Sequence, residues 1–454
     1  MRTPINYLLY MRKLYLIILS AALALPVAAQ QPQIPNGGFE DGWGDCTPWT
    51  SDGNTKTKGT TPGSWTISQV IGINGLGATQ VGEKVAGYES ESAVKIYNSP
   101  NSLLSSQIVP GYVTLGTTWS TSKFGSENDG GSFGGVNFNE RPVKITFMYK
   151  FEKESENDQP ANAIAYLWKG TYTQKDVPAS IANQQKIDMV NRDRNILDMA
   201  TEQGGEVTTK GELIAKGTTV ITETTSEWKK GEIVFEYLSD ATPEMLNIIF
   251  AANDYFNSEG IAKGNALTID NVEAVYVEKE DVYKGSVDIS LAGGDPTTEN
   301  ANVHIKSYTD GSCDFELPNF SFGGQSLGTI KVPNVSVDKS NPEKYSYTGS
   351  VKNLALQMNG SPIIADADVT GTTDNSGNAE FDIPVVWHGG ALGDIDIAVK
   401  FTGKIGTTGL DDIEAVDADA PVEYYNLQGV RVADPTPGLY IRRQGNNVSK
   451  VIIR

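Results

Sequence analysis

The sequence predicts an all-β protein in three parts: a large two-sheet sandwich, an eight-stranded antiparallel barrel and a small β tail. Three observations carry the prediction. Segments rich in Gly, Ser, Thr and Asn separate short runs in which apolar and polar residues alternate with a period of two. Long amphipathic helical patterns are nearly absent, and the best helix candidate, 187–200, mixes charged and apolar residues inside a long insertion. Beyond residue 280 the strand-like runs become short and evenly spaced, as in a closed meander.

The chain opens with the pattern of a secretion signal over 1–29, initiated at Met11. Arg12 and Lys13 form its charged start, Leu14 to Leu25 its apolar stretch, and Val27-Ala28-Ala29 a small-residue cleavage site. The apolar run is shorter than the roughly 20 residues of a membrane helix, and no later run is long enough either. No Cys follows the cleavage site, which argues against a lipid anchor. The pattern implies an exported protein of the periplasm, the outer-membrane surface or the medium.

The formal charge of the full chain is -20. Removing 1–29 takes away Arg2, Arg12 and Lys13 and no acid, which leaves -23. Nucleic acids and anionic membranes attract clusters of Lys and Arg, so this excess of acid argues against both as partners. A neutral ligand such as a glycan needs no positive field. The only cysteines, Cys46 and Cys313, lie far apart and in different predicted domains, so disulfides are not expected to hold this exported chain together.

The first domain spans 30–280. Its clearest strands are 143–151, 163–168, 230–237 and 246–252; in the first of these Val143, Ile145, Phe147, Tyr149 and Phe151 fall on one face, with Lys144, Thr146 and Lys150 on the other. Ile34 to Trp43 and Ile269-Asp270-Asn271-Val272 read as its first and last strands, lying side by side. A charged break, Glu278-Lys279-Glu280-Asp281, leads into the second domain, 281–406, with eight strands at 283–291, 302–308, 313–320, 329–337, 345–356, 362–369, 379–387 and 393–402. Eight strands close a barrel without leaving edges. The alternation of Val287, Ile289 and Leu291, and of Ile395, Ile397 and Val399, is what a filled interior requires. An acidic linker, 407–421, precedes a basic tail, 422–454, with three strands at 422–427, 438–443 and 448–454, too few for a large core.

Several motifs in the first domain are shared with a known family. Pro35-Asn36-Gly37-Gly38-Phe39-Glu40, Phe138-Asn139-Glu140-Arg141-Pro142, Asn253-Asp254-Tyr255-Phe256 and Leu267-Thr268-Ile269-Asp270-Asn271-Val272 occur in the order and spacing of the carbohydrate metabolism domain family, a jelly-roll family of exported bacterial proteins. The domain resembles that family over most of 34–277, which implies a jelly-roll sandwich and a carbohydrate ligand. Residues 282–405 are similar to calycin-like β-barrel domains, although the Gly-x-Trp of true lipocalins is missing near the first strand. The tail, with Tyr424-Tyr425-Asn426-Leu427-Gln428-Gly429-Val430-Arg431 and Pro437-Gly438-Leu439-Tyr440-Ile441, resembles type IX C-terminal sorting domains, which implies an export machinery as a partner.

Sugar recognition stacks the apolar face of a pyranose on an aromatic ring. Trp43, Trp49, Trp65 and Trp119 lie in loop-like stretches rich in Gly, Ser, Thr and Pro and are the stacking candidates, whereas Trp168 alternates with Tyr166 and Ile164 and reads as core. Glu40 and Asp270 are expected to approach one another. With loop carbonyls they would suit a structural Ca²⁺, which takes six to eight oxygen ligands; alternatively they bond backbone groups and brace the entry loop. A glycosidase needs two carboxylates about 5–5.5 Å or 6.5–9.5 Å apart, and no pair stands out among the acids. His304 and His388 come without a zinc or triad pattern. Non-catalytic glycan binding is therefore the leading reading, with a glycoside-active enzyme and an adhesin-like protein that binds envelope proteins as alternatives.

Overall fold

The structure is a computed structural model. It describes residues 31–453 apart from 47–48, 51–57, 70–77, 103–104, 121–129, 155, 171, 175–206, 210–211, 257–259, 323–324, 359–360, 390–392, 407–421, 427–430, 433–435, 437 and 445–446. The helix expected over 187–200 and the acidic linker lie outside the described residues. All regular elements among the described residues are β, and they fall into two compact units that divide at Val277/Glu278, with Tyr308–Asp310 grouped with the first.

The first unit is a two-sheet sandwich. One sheet has the order Glu236–Tyr237, Glu212–Ile221, Ala161–Lys169, Met245–Ala251, Tyr112–Thr114, Thr66–Ile67, with Val136–Asn137 also pairing Met245–Ala251. The other has the order Thr225–Val234, Lys144–Glu152, Ala266–Val275, Ala93–Tyr97, Gly82–Val85. The alternation read from sequence fixes which side chains meet between them. Ile145, Phe147, Phe151, Leu267 and Ile269 of the five-stranded sheet share one core with Ala163, Ala165, Leu167, Ile248 and Phe250 of the other. The alternate residues Ile164, Tyr166 and Trp168 form a second buried cluster with Tyr112, Ile249 and Tyr255, so the central strand is buried on both faces. Trp168 is thus core, as its alternation predicted.

Residues 34–43 correct one expectation. They form a turn rather than a first strand, because Asn36 (φ 48°) and Phe39 (φ 55°) adopt the left-handed conformation that breaks an extended chain. Phe39 is held there by complete burial, its ring 5.1 Å from that of Trp65. The turn still docks on the last strand. Val272 N–H donates to Gly37 O (2.9 Å), and the Gln33 amide both accepts from Ala274 N–H (2.9 Å) and donates to its carbonyl (3.0 Å). Only glycine fits at 37, since a Cβ there would collide with the Val272 carbonyl.

In the second unit eight predicted strands appear as ten. The fourth is split into Gln325–Val332 and Ser336–Asp338, and the seventh into Asn378–Asp382 and Val385–His388. Both breaks fall at prolines, Pro333 and Pro384, which have no N–H for the ladder. The ladder runs Gln325–Val332, Cys313–Phe322, Thr297–Tyr308, Val277–Leu291, Asp394–Ile405, Asn378–Asp382, Ser361–Asp374, Lys344–Met358, Ser336–Asp338. Its two end strands are consecutive in the chain, and Val332 and Val335 both lie against Gly349 of Lys344–Met358. The sheet thereby curls round on itself. Phe381 sits inside with Phe315 (5.1 Å), Tyr347 (5.6 Å) and Phe401 (6.5 Å), so these rings pack the interior. Tail residues form an antiparallel sheet of order Arg431–Val432, Val422–Tyr425, Gly438–Gln444, Asn447–Ile453, which adds one short strand to the three predicted.

Cys46 and Cys313 are both buried and are not joined in a disulfide. Burial pushes each up to about 11, so neither forms thiolate near neutral pH.

Candidate functional site

The outward face of the five-stranded sheet carries the site. In the strand Thr225–Val234, Ile233 and Gly231 face inward opposite Ile145 and Phe147, so Trp228, Lys230 and Glu232 project outward. In the neighbouring strand Met148 and Lys150 project the same way, opposite Asp270 and Thr268. Beyond Gly82–Val85 the chain does not turn straight back. The 86–92 loop crosses this outward face and brings Tyr88 against Trp228, ring centroids 5.9 Å apart and edge to face at 67°. Lys150 Nζ lies 4.8 Å from the Trp228 ring centroid, a cation–π contact. Trp228, Tyr88 and Lys150 are each only half-buried.

Two carboxylates pin the loop. Asp270, 1% exposed, accepts from Tyr88 N–H (2.6 Å) and the Ser90 hydroxyl (2.7 Å) through Oδ2, and from Asn271 N–H (2.7 Å) through Oδ1. Glu40 accepts from Ser92 N–H (2.9 Å) and the Ser92 hydroxyl (3.0 Å). Asn271 takes the left-handed conformation (φ 51°), and the pairing of its strand with Lys144–Glu152 is shifted there by a bulge. Burial raises the Asp270 pKa, with the nearby Glu40 charge adding to it against the three donors. For Glu40, desolvation also pushes upward, but hydrogen bonds from Ser92, Ser90 and Glu91 together outweigh it and the net direction is down.

This geometry does not fit the structural Ca²⁺ expected at Glu40 and Asp270. Calcium needs oxygen lone pairs converging on one point. Here the carboxylate oxygens meet N–H and O–H donors, and no group of three or more His, Cys, Asp or Glu that could hold a metal occurs among the described residues. The pair is a brace for the 86–92 loop.

The four tryptophans singled out from sequence separate. Trp65 is corrected outright: it is 2% exposed, between Phe39 and Phe250, and its Nε1–H donates to Pro35 O (3.0 Å) and Asn36 O (3.2 Å). A ring so enclosed cannot stack on a ligand. Trp43 is half-buried, donates Nε1–H to Phe39 O (2.7 Å), and has Lys84 Nζ 5.9 Å from its ring centroid. Trp49 and Trp119, 70 positions apart, come into register as parallel neighbours in a small sheet of order Gly130–Phe133, Thr117–Ser120, Trp49–Thr50. The half-exposed Trp228 was missed. Its signal is a single aromatic at an outward position of a charged strand, Glu227-Trp228-Lys229-Lys230, where core packing supplies no reason for a ring.

In the second unit His388 is clasped between two acids of neighbouring strands. Its Nδ1 lies 2.9 Å from Asp394 Oδ1 and its Nε2 3.4 Å from Asp366 Oδ1, and Asp366 also accepts from Asn353 N–H (2.9 Å). Hydrogen bonds to Asp394 and Asp366 raise the His388 pKa; the Asn353 N–H, with Lys352 and His388, lowers that of Asp366. The clasp therefore stabilises the folded unit fully below the ordinary imidazole value, and the His388 contribution is lost as pH rises through its raised folded value. The Asp366 contribution is lost at the other end, as pH falls below the ordinary carboxylate value. In a proton NMR titration His388 is expected to have a midpoint above the ordinary imidazole value of 6.5, and Asp394→Asn to bring that midpoint down. A midpoint unchanged by the substitution would show that Asp394 does not hold the charge.

The ladder, its near closure and its packed interior define the second unit as a β-barrel. Residues 280–404 match the calycin-like β-barrel domain family. This calycin-like barrel agrees with the resemblance read from 282–405. No curated protein matches the chain. Among solved structures, it is similar to a putative glycoside hydrolase from Bacteroides thetaiotaomicron (14% identity, TM-score 0.30), over 44% of this chain and 58% of that one. A second putative glycoside hydrolase, from Bacteroides vulgatus, is 17% identical with a TM-score of 0.28, over 42% of this chain and 76% of that one. A putative outer membrane protein from Bacteroides fragilis is 15% identical with a TM-score of 0.19, over 58% of this chain and 97% of that one. The chain thus spans little more than half the length of the first of these. Among the described residues no helix is long and apolar enough to cross a membrane.

Proposed function

We propose that this is an exported protein that binds carbohydrate through its first unit, a jelly-roll sandwich, without turning it over. The observation that carries the reading is the half-exposed Tyr88–Trp228 pair on the outward sheet face, held in place by a loop that Asp270 and Glu40 pin down. A pyranose offers an apolar face to an indole and a rim of hydroxyls to polar side chains such as that of Ser90. Because the brace fixes the loop before binding, little ordering entropy is lost on association. Trp43 and the Trp49–Trp119 register pair are further stacking candidates. The leader 1–29 and the tail 422–454, read as a sorting domain, would place the protein on the cell surface.

The test is a glycan array probed with the mature chain, 30–454. Binding is expected, and Trp228→Ala should weaken it by about 2- to 13-fold, the range that stacking energies of about 0.5–1.5 kcal/mol imply, with an unchanged melting temperature. A blank array together with specific capture of an envelope protein would replace this reading with the adhesin-like one.

A further inference from the structure

We infer that the Tyr88–Trp228–Lys150 face takes an anionic saccharide, one whose sugar rings carry carboxylates of the uronic-acid kind; the inference rests on the glycan reading above. Acids outnumber bases 56 to 36 in this chain, and lysines of the same sheet have found carboxylates. Lys95 pairs with Glu152 at 2.8 Å, Lys144 with Glu232 at 3.0 Å and Lys229 with Glu223 at 3.5 Å. No carboxylate of the described residues forms an ion pair with Lys150, and its ammonium rests by the indole of Trp228.

Two acids of this outward face are already engaged. Glu152, two positions along the strand, is held by Lys95, and Asp270 is saturated by the Tyr88, Ser90 and Asn271 donors. The ammonium therefore keeps donors for an incoming anion beside two half-exposed rings. A sugar stacked on Trp228 carries its ring substituents at the edge of the indole. A carboxylate among them would lie within reach of Lys150, whereas a neutral hydroxymethyl group there gains only an ordinary hydrogen bond. The net negative charge of the chain argues against polyanions in general, so selectivity for an acidic sugar would have to come from this local arrangement.

The experiment measures retention of the mature chain by polygalacturonate, alginate and hyaluronan, each beside the same polymer with its carboxylates reduced to alcohols. At least one acidic form should bind tenfold or more tighter than its reduced counterpart at low salt, with the gap closing as ionic strength rises. Lys150→Met, which keeps the aliphatic stem, should abolish the gap, weakening the acidic polymer at least tenfold and its reduced counterpart only severalfold, with the melting temperature unchanged. Equal binding of acidic and reduced forms, binding of neutral glycans alone, or a gap untouched by Lys150→Met would overturn the inference and leave the glycan reading standing. No binding to any polymer or to the array would remove both.

Discussion

Replacing Trp65 with alanine is expected to lower the unfolding free energy of the first unit by about 3–5 kcal/mol, the usual result of emptying a fully enclosed aromatic site. The ring is 2% exposed and lies 5.1 Å from Phe39 and 6.2 Å from Phe250, so its loss opens the core where the entry turn meets the sandwich. Its Nε1–H also satisfies the carbonyls of Pro35 and Asn36. Trp65→Phe should keep much of the packing and give up those hydrogen bonds, at about 1 kcal/mol. Urea denaturation followed by circular dichroism separates the two variants. If Trp65→Ala left stability intact while weakening glycan binding, the enclosed placement of the ring would be wrong.

Trp65 also shows where local sequence stops being informative. Its neighbours Pro62, Gly63 and Ser64 read as an exposed loop, but the ring is covered by Pro35, Phe39 and Phe250, residues that its own segment cannot reveal. Strands were legible because alternation is local: 143–151 was read against Lys144–Glu152, and 246–252 against Met245–Ala251. The entry turn was not, since Asn36 and Phe39 leave the extended region only because the last strand and the core receive them. The approach of Glu40 and Asp270 to one locality was legible as well. Which partners they would choose was not, because the Tyr88, Ser90 and Ser92 donors come from a loop with no distinctive composition. Trp228 escaped for the opposite reason, being hidden in a charged run that looks like any solvated strand.

Asp270→Asn should destabilise the first unit by about 1–3 kcal/mol. A carboxylate accepts at both ends, with Oδ2 taking Tyr88 N–H and the Ser90 hydroxyl while Oδ1 takes Asn271 N–H. An amide has one acceptor end. Whichever way it is turned, its NH₂ faces a backbone N–H, and a buried donor goes unsatisfied. The longer Asp270→Glu has no room, because Gly87 and the Ser90 hydroxyl crowd the carboxylate. Hydrogen exchange should find the 86–92 amides protected in the native protein and exposed in Asp270→Asn, with glycan binding falling alongside. Protection that survived the substitution would mean that Glu40 holds the loop alone. The two carboxylates also pull the pH dependence in opposite directions. Asp270, with its raised pKa, favours the fold less as pH climbs from the ordinary carboxylate value through its folded value, whereas the contribution of Glu40 is lost as pH falls from the ordinary value through its lowered one.

The latch between the entry turn and the last strand sets a clock on folding. Gln33 bonds Ala274, 241 positions later, and Pro32 O accepts from the Tyr276 hydroxyl, 244 positions later. At a synthesis rate of about 5–20 residues per second, the front of the chain waits roughly 12–50 s for its partner to be made. Until then it has no strand to lie against, and whatever machinery receives the front end meets an unlatched chain. Once Ala266–Val275 joins its sheet, the same few bonds tie the front end down, so the last strand of the first unit ends that interval.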